Sequence, residues 1–297
     1  MAKFINPFTD VGFKRIFGQA INKDLLIDFL NALLVGERQV KDITFLDKEL
    51  LPVFQQGRGV IYDIYCTDEN DEQFIVEMQN QEQINFRERA LYYLSQAVAR
   101  QGEKGPDWKF ALKSVYGVFF MNFELKGSEH KLRTDIVLAD RDTHELFTDK
   151  MRYIFIELPA FTKEEDDCEN DFERWIYVLK NMETLQRLPF KARSAVFQKL
   201  EEIVDIASLT KEERMQYDES LKVYRDNLAV KEFNIREGFE KGFEKGREEG
   251  RAEGREEGRA EEREKNFQTI RRLKHMGISI EFIAEAFGMT TEEVNAL

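Results

Sequence analysis

The sequence predicts an α/β or α+β fold for residues 1–205, because strand and helix patterns alternate there. Two short apolar strands, VIYDIYC and QFIVEMQ, are joined by the polar turn TDENDE. A helix pattern follows from about residue 86 to 101, and further strands are predicted at SVYGVFFMNF and RYIFIEL. Hydrophobic residues make up 42% and aromatic residues 12% of the 297, which is enough for a packed core.

Two amphipathic helices are predicted before these strands. The first begins near Thr9 or Asp10, either of which can cap it, and runs to Gly18. The second begins at Asn22, and one broad apolar stripe is formed by Leu25, Leu26, Phe29, Leu30 and Leu33.

Beyond residue 205 we expect a helical extension over residues 206–265 and a small helical tail over 266–297. Within the extension a glycine recurs at every fourth position: Gly238, Gly242, Gly246, Gly250, Gly254 and Gly258. On a helix of 3.6 residues per turn these glycines form a slowly winding stripe. The stripe has two interpretations, close self-association into a homo-oligomer or a solvated low-complexity spacer.

The tail has the apolar spacing of a helix-turn-helix, in which Ala284 is followed four residues later by Gly288. Its second helix is short and acidic, with Glu292 and Glu293 where a recognition helix would contact DNA. Packing or oligomerisation is therefore favoured over DNA reading for this tail.

The overall charge and the reactive side chains restrict the class of function. The formal net charge is -13, which argues against a generally basic nucleic-acid binder but permits a local basic groove. Cys66 and Cys168 have no metal-ligand spacing and are expected to be reduced thiols of a cytoplasmic protein. No signal-peptide pattern or membrane-helix pattern is found. Nothing indicates ATP-driven work or serine hydrolysis, and no metal pair is formed by the histidines His130, His144 and His275.

Alternation along the first two strands predicts a polar site. In VIYDIYC one face holds Ile61, Asp63 and Tyr65, and the other face holds Tyr62, Ile64 and Cys66. In QFIVEMQ one face holds Phe74, Val76 and Met78, and the opposite face holds Gln73, Ile75, Glu77 and Gln79. The two strands therefore each present acidic or amide side chains on one side.

An antiparallel turn centred on Asn70 would set Asp63 directly across from Glu77. Opposed side chains have Cβ atoms about 4.5–5.5 Å apart, and two carboxylates that close repel unless a proton or cation lies between them. Hard oxygen ligands suit Mg²⁺, with Mn²⁺ as a second possibility. Gln79 points the same way and is placed to orient a water on the metal.

These residues also resemble a known family. Asp63 followed by Glu77-Met78-Gln79 resembles the Asp…(Glu/Asp)-x-Lys signature of PD-(D/E)XK nucleases. The blocks NPFTDVGFKRIFG, LLIDFLNALL, IVEMQ and RERALYYLSQ, within residues 4–190, resemble the recombination-promoting nuclease and transposase branch of that superfamily. The resemblance implies a restriction-endonuclease-like central mixed sheet flanked by helices, followed by the long glycine-repeat helix and the helix-turn-helix-like tail. It also implies Mg²⁺-dependent cleavage of double-stranded DNA.

One position departs from the superfamily signature, because Gln79 replaces the usual lysine. Glutamine has no charge and no titrating group, so the metal would have to supply most of the charge stabilisation. Two functions therefore stay open. The first is a Mg²⁺-dependent DNA endonuclease linked to recombination or mobile elements. The second is an inactive nuclease-fold protein that acts as a DNA-binding or oligomeric assembly module.

Other polar residues have weaker assignments. By the resemblance, Asp10 is an auxiliary acidic residue near the metal, although a simple helix cap explains it equally well. Lys14, Arg87 and Arg89 are candidates for contacts with the DNA backbone, and a solvated helix face is the alternative for each. Glu157 lies on a predicted strand and has no assigned role.

Overall fold

The fold is that of a computed structural model, which describes residues 2–51, 58–102, 109–125, 130–190 and 194–297. The helices are α1 Asp10–Phe17, α2 Lys23–Leu33, α3 Phe86–Ala99, α4 Asp171–Asn181, α5 Ala195–Val204, α6 Lys211–His275, α7 Ile280–Phe287 and α8 Thr291–Ala296. The strands are β1 Ile43–Phe45, β2 Glu49–Leu50, β3 Val60–Ile61, β4 Ile64–Asp68, β5 Gln73–Gln79, β6 Val115–Met121, β7 Arg133–Ala139 and β8 Leu146–Glu157.

A mixed six-stranded sheet with the order β1-β4-β5-β6-β8-β7 forms the centre of the first unit. β4 is antiparallel to both β1 and β5, whereas β5, β6 and β8 run parallel to one another. β7 returns antiparallel to β8. The parallel pair β5 and β6 is connected through α3, since parallel strands need a crossover. The predicted α/β or α+β fold, a central mixed sheet flanked by helices, is confirmed.

The central part of the sheet is buried on both faces, and alternation along its strands sorts the side chains between two cores. On one face Phe74, Val118 and Ile154 pack with helices α1, α2, α4 and α5. On the other face Ile75 and Phe119 pack against α3. Strands covered on both sides read as nearly continuous apolar runs, which is what the sequence shows for β6 and for the second half of β8.

An aromatic cluster holds the first two helices and α4 against the sheet. Phe120 of β6 lies 5.0 Å from Phe29, 5.6 Å from Phe13 and 6.2 Å from Phe17 between ring centroids. Trp175 of α4 lies 5.5 Å from Phe17. Such aromatic pairs each contribute roughly 0.5–1.5 kcal/mol beyond their buried area. The cluster therefore fixes α1, which carries two of the predicted site residues, on the sheet.

The start of α1 is fixed by its cap. The Thr9 hydroxyl accepts a hydrogen bond from the Gly12 N–H at 3.0 Å and donates one to the Asn6 carbonyl at 2.8 Å. A Cβ on Gly12 would lie 2.2 Å from that Asn6 carbonyl oxygen, so only glycine allows the turn to close this tightly. The predicted helix, with Thr9 as its cap and Gly18 at its end, agrees with this structure.

The single strand predicted for VIYDIYC was wrong, because the structure divides it into β3 and β4 with Tyr62 and Asp63 between them. The bend also breaks the predicted alternation. Tyr62 lies in the same core as Tyr65, with ring centroids 5.1 Å apart, instead of on the opposite face. The physical reason is that the Asp63 N–H bonds to the Glu77 side chain and not to a backbone carbonyl of β5.

Further strands were not predicted from the sequence. β1 and β2 are only three and two residues long, and β7 is an exposed edge strand that pairs along β8 from Ile156 back to Leu146. β8 begins at Leu146, before the predicted strand at RYIFIEL. Short or exposed strands lack the apolar run by which the buried strands are recognised.

The chain divides into two compact units, Met1–Arg225 and Asp226–Leu297. This division differs from the expected boundary at 205/206, because the first turns of α6 pack in the first unit, where Tyr217 is fully buried. The glycine repeat is helical throughout, within α6. No helix among the described residues has both the length and the apolar character that a bilayer span requires.

The second unit ends in a small helical cluster. Ile270, Ile283, Ala284 and Val294 are buried together in it. Gly288 adopts φ +63° at the end of α7, a left-handed conformation that favours glycine. The helix-turn-helix-like tail predicted from the apolar spacing is therefore present.

Candidate active site

The site lies where β4 begins beside the middle of β5. The antiparallel ladder pairs Ile64 with Val76 and continues to Thr67 opposite Gln73. One step further along this register, Asp63 comes opposite Glu77, as the turn centred on Asn70 predicts. The ladder itself ends at Ile64, since Asp63 stands on the bend.

Asp63 and Glu77 are held by reciprocal hydrogen bonds. The Asp63 N–H donates to Glu77 Oε1 at 3.0 Å, and the Met78 N–H donates to Asp63 Oδ2 at 2.9 Å. Gln79 Nε2 donates to the second Glu77 oxygen, Oε2, at 3.1 Å. The structure thus brings Asp63, Glu77 and Gln79 together, with each carboxylate fixed by the strand that carries the other.

Burial dominates the electrostatics of this pair. Glu77 is 1% exposed, and desolvation together with the nearby Asp63 charge raises the pKa of Glu77 to about 8. Desolvation also raises the pKa of Asp63, against the bond from the Met78 N–H and the charge of Lys14, which lower it. Two carboxyls whose charged forms are disfavoured are a site that gains from a proton or a cation.

Two basic side chains face the acidic pair from different helices. Lys14 of α1 and Arg89 of α3 both lower the pKa of Asp63 through their charge, and Arg89 does the same for Glu77. Lys14 also makes an ion pair with Asp10, four residues earlier on α1. The predicted Lys14 and Arg89 therefore lie within electrostatic reach of the carboxylates.

Asp10 is close to the pair but does not complete a three-carboxylate cluster. It lines the same cavity as Asp63, and its charge raises the pKa of Asp63. Within the part of the chain that the structure describes, no group of three or more acidic, histidine or cysteine side chains is arranged to hold a metal ion. Asp10 is engaged by Lys14, whereas Asp63 and Glu77 are hydrogen-bonded to each other's backbone segments.

The cavity at Asp63 has a volume of about 470 Å³. Besides Asp10 and Lys14 it is lined by Arg15 and Lys48, which the sequence analysis did not single out. Arg15 is held by Glu213 of α6 at 2.6 Å. Lys48 lies on a loop with no motif around it, so no local signal could have identified it. Asp63 thus opens into a cleft with basic side chains on its walls, and the buried Glu77 lies behind it.

The remaining residues of interest lie elsewhere. Arg87 lines a separate cavity with Gln83 and is not brought to the acidic pair. Glu157 is fully buried at the end of β8 and accepts a hydrogen bond from the Leu125 N–H at 2.9 Å. The missed residue Asn80, next to Gln79, donates to the Phe8 carbonyl at 2.6 Å and so ties the chain before α1 to the end of β5.

A mixed sheet flanked by helices, with an acidic pair formed by the bend before β4 and by β5, defines the class of protein as one with the PD-(D/E)XK nuclease fold. A family model described as PD-(D/E)XK nuclease family transposase matches residues 7–233. The chain therefore belongs to that family, as its sequence blocks predicted. Neither a curated protein nor a solved structure gives a significant match to the chain.

Proposed function

We propose that the protein is a Mg²⁺-dependent DNA endonuclease that hydrolyses phosphodiester bonds and is linked to recombination or mobile elements. The observation that carries this proposal is the buried Asp63–Glu77 pair, with each carboxylate hydrogen-bonded to the backbone beside the other. Membership of a nuclease family supports it. Double-stranded DNA is the proposed substrate and the cytoplasm the proposed location; both cysteines are free and buried, as suits a reducing compartment.

The residues at the site fit a magnesium ion, and Mn²⁺ is an alternative with the same oxygen preference. Mg²⁺ is commonly held by one or two carboxylates together with water and substrate phosphates, so it does not need a cluster of three protein ligands. Asp63 and Glu77 supply two carboxylates whose burial and mutual repulsion a cation would relieve. Asp10, paired with Lys14, is proposed to act near the cation and not as a third fixed ligand.

Each residue then has a distinct task. Asp63 and Glu77 hold the cation, and Glu77 must release its proton to do so. When bound, the cation supplies charge stabilisation at the phosphate and a lowered pKa for an attacking water. Gln79 fixes one Glu77 oxygen and orients the water through its amide. The Met78 N–H keeps Asp63 turned toward Glu77.

DNA would be held by charge outside the acidic pair. Lys14 and Arg15 line the cleft at Asp63, and Arg89 faces the pair from α3. Phosphate contacts of this kind position a duplex without reading its sequence. Arg87, which lines a different cavity, would contact the backbone farther from the cut.

The second candidate function is an inactive nuclease-fold protein that binds DNA or assembles into oligomers. Gln79 in place of lysine favours it, because the amide adds no positive charge at the cleavage site. The glycine-repeat helix supports the assembly variant. Phe239 and Phe243 are exposed on it and stack with ring centroids 6.4 Å apart. We propose that this helix face, with its glycine stripe, joins two copies of the chain.

Nicking of supercoiled plasmid tests the enzyme. Purified protein is incubated with Mg²⁺, Mn²⁺, Ca²⁺ or EDTA, beside Asp63→Asn and the exposed control Asp149→Asn. We expect nicking with Mg²⁺ or Mn²⁺ that disappears in Asp63→Asn and persists in Asp149→Asn. Absence of nicking by folded wild-type protein with every cation would support the inactive alternative. If Asp63→Asn nicks as well as the wild-type protein, Asp63 is not part of the active site.

Sedimentation of the full chain tests the oligomer. Phe239→Glu with Phe243→Glu should reduce the sedimenting mass to that of one chain, since charges would then face each other across the helix contact. If the wild-type chain already sediments as a monomer, the glycine repeat is a spacer and the assembly proposal fails.

A further inference from the structure

A second cavity, of about 800 Å³, lies between β3 and the first turns of α3. Its walls combine the aromatic rings of Tyr92 and Tyr93 with aliphatic, cationic, acidic and amide groups, among them Ile61, Arg89, Glu88 and Gln83. Its volume falls in the range of about 300–1,000 Å³ typical of sites for small molecules. Arg89, through its charge, is the residue that connects this cavity with the proposed cation site.

The aromatic walls of the cavity are fixed in place. The Tyr92 ring is 37% exposed, and its hydroxyl donates to the Arg58 carbonyl at 2.7 Å. The Arg89 guanidinium lies 4.9 Å from the Tyr93 ring centroid, while its Nε donates to the Tyr93 hydroxyl at 2.9 Å. Gln83 Oε1 accepts a second hydrogen bond from Arg89 at 3.1 Å. An open aromatic ring beside a fixed guanidinium plane is a stacking surface for a flat ligand.

The cavity adjoins the acidic pair through two of its residues. Arg89 acts on both Asp63 and Glu77 through its charge. Ile61, which is 61% exposed on the cavity wall, precedes Asp63 by only two residues. A nucleotide next to the phosphate at the acidic pair would therefore have this cavity within reach.

We propose that this cavity binds an unpaired DNA base beside the scissile phosphate, so that the preferred substrate is DNA with unpaired bases at the cut. The inference rests on the proposed nuclease function and narrows its substrate class. A paired base keeps both faces stacked inside the duplex and cannot stack on Tyr92, whereas an unpaired base can. Gln83 and Asn85 bring amide groups that match the hydrogen-bonding edges of a base.

Binding, measured without cleavage, tests the proposal. Fluorescence anisotropy compares a short labelled duplex with the same duplex carrying one unpaired base, with Ca²⁺ in place of Mg²⁺. Wild-type protein should prefer the duplex with the unpaired base. Tyr92→Ala should lose about tenfold in affinity for it, as is typical when one base–aromatic stack is removed, and little for the fully paired duplex. Tyr92→Phe keeps the ring and should retain the preference.

Leu91→Ala is the matched control, because Leu91 is 54% exposed on the same helix and does not line the cavity. The proposal is overturned if wild-type protein binds both duplexes equally, if it binds neither, or if Leu91→Ala removes the preference as Tyr92→Ala does. The plasmid assay separates this result from the nuclease proposal. If the protein nicks plasmid but does not prefer the duplex with an unpaired base, only the base-binding proposal is refuted. If it shows a Tyr92-dependent preference but no nicking, only the nuclease proposal is refuted.

Discussion

Replacing Glu77 by glutamine is expected to remove a pH dependence from the stability of the cation-free protein. Burial and the Asp63 charge raise the pKa of Glu77 from an ordinary 4.5 to about 8 in the folded chain. Between these two values the folded state binds a proton that the unfolded state does not bind. Stability must therefore be greatest below pH 4.5, as far as this group is concerned, and must fall as the pH rises toward 8.

The size of the effect follows from the same values. A shift from 4.5 to about 8 corresponds to an upper limit of about 5 kcal/mol, which the shared titration with Asp63 spreads over two carboxyls. Integration between pH 6 and pH 8 gives a loss of about 2 kcal/mol for the wild-type protein. Glutamine is neutral at every pH and of the same shape, and a half-turn of the Gln79 amide restores its bond. The Glu77→Gln variant should therefore lose far less over that interval.

Urea unfolding in EDTA at pH 6 and pH 8 measures this difference. Tryptophan fluorescence is the suitable probe, since Trp175 is fully buried in the first unit. The exposed control Glu145→Gln should show the wild-type slope, meaning the same fall in unfolding free energy from pH 6 to pH 8. A wild-type stability that stays level or rises between these pH values would refute the account of the buried pair. An equal fall in unfolding free energy in Glu77→Gln and in the wild-type protein would refute it as well.

Two further substitutions test the elements that carry the site. Thr9→Ala should destabilise the first unit by about 1–2 kcal/mol in the same urea assay, because the buried cap of α1 and its bond from the Gly12 N–H are lost; an unchanged midpoint would mean that packing alone fixes α1. Gly117→Ala should cost about 1–3 kcal/mol, because the new Cβ would lie 2.5 Å from Leu94 Cδ1 of α3; a neutral result would show that α3 moves freely on the sheet.

The sequence predicted the parts of this fold that have a strong periodic signal. β5 and β6 were recognised because their apolar runs reflect burial on both faces, and the turn centred on Asn70 fixed the register that leads to Glu77. The break at Asp63 could not be predicted, because it depends on a bond between its N–H and a side chain on another strand. Nor could alternation predict that Tyr62 turns into the same core as Tyr65.

For the site too, features local in sequence could be predicted and contacts from other segments could not. The acidic pair is local to one hairpin, so spacing was sufficient to find it. Lys48 lines the cleft at Asp63 from a loop with no motif around it, and Tyr92 lines the second cavity from the RERALYYLSQ block, whose spacing did not single it out. Asp10 was expected near a metal, yet its charge is engaged by Lys14 on the next turn of α1, a pair that helical spacing allows.

The departure at Gln79 has a consequence that a single substitution can measure. Gln79 donates a neutral hydrogen bond to Glu77, which lowers the pKa of that carboxyl but less than burial and Asp63 raise it. A lysine at this buried position would place a positive charge there and favour the ionised carboxylate. Gln79→Lys should therefore reduce the fall in unfolding free energy between pH 6 and pH 8 in EDTA, because less of Glu77 is protonated at pH 6.

The matched control for this substitution is Gln79→Met, which has a similar length and no charge and should keep at least the wild-type slope, because losing the Gln79 hydrogen bond raises the pKa of Glu77 further. If Gln79→Lys also keeps that slope, the lysine is neutral or turned away, and Glu77 retains its proton as in the wild type. A flattened slope would instead mean that the lysine of the superfamily signature and Gln79 differ in whether Glu77 keeps its proton at neutral pH. In that case the cation must displace a proton at neutral pH, and cation binding by the wild-type protein should weaken more steeply on acidification than binding by Gln79→Lys.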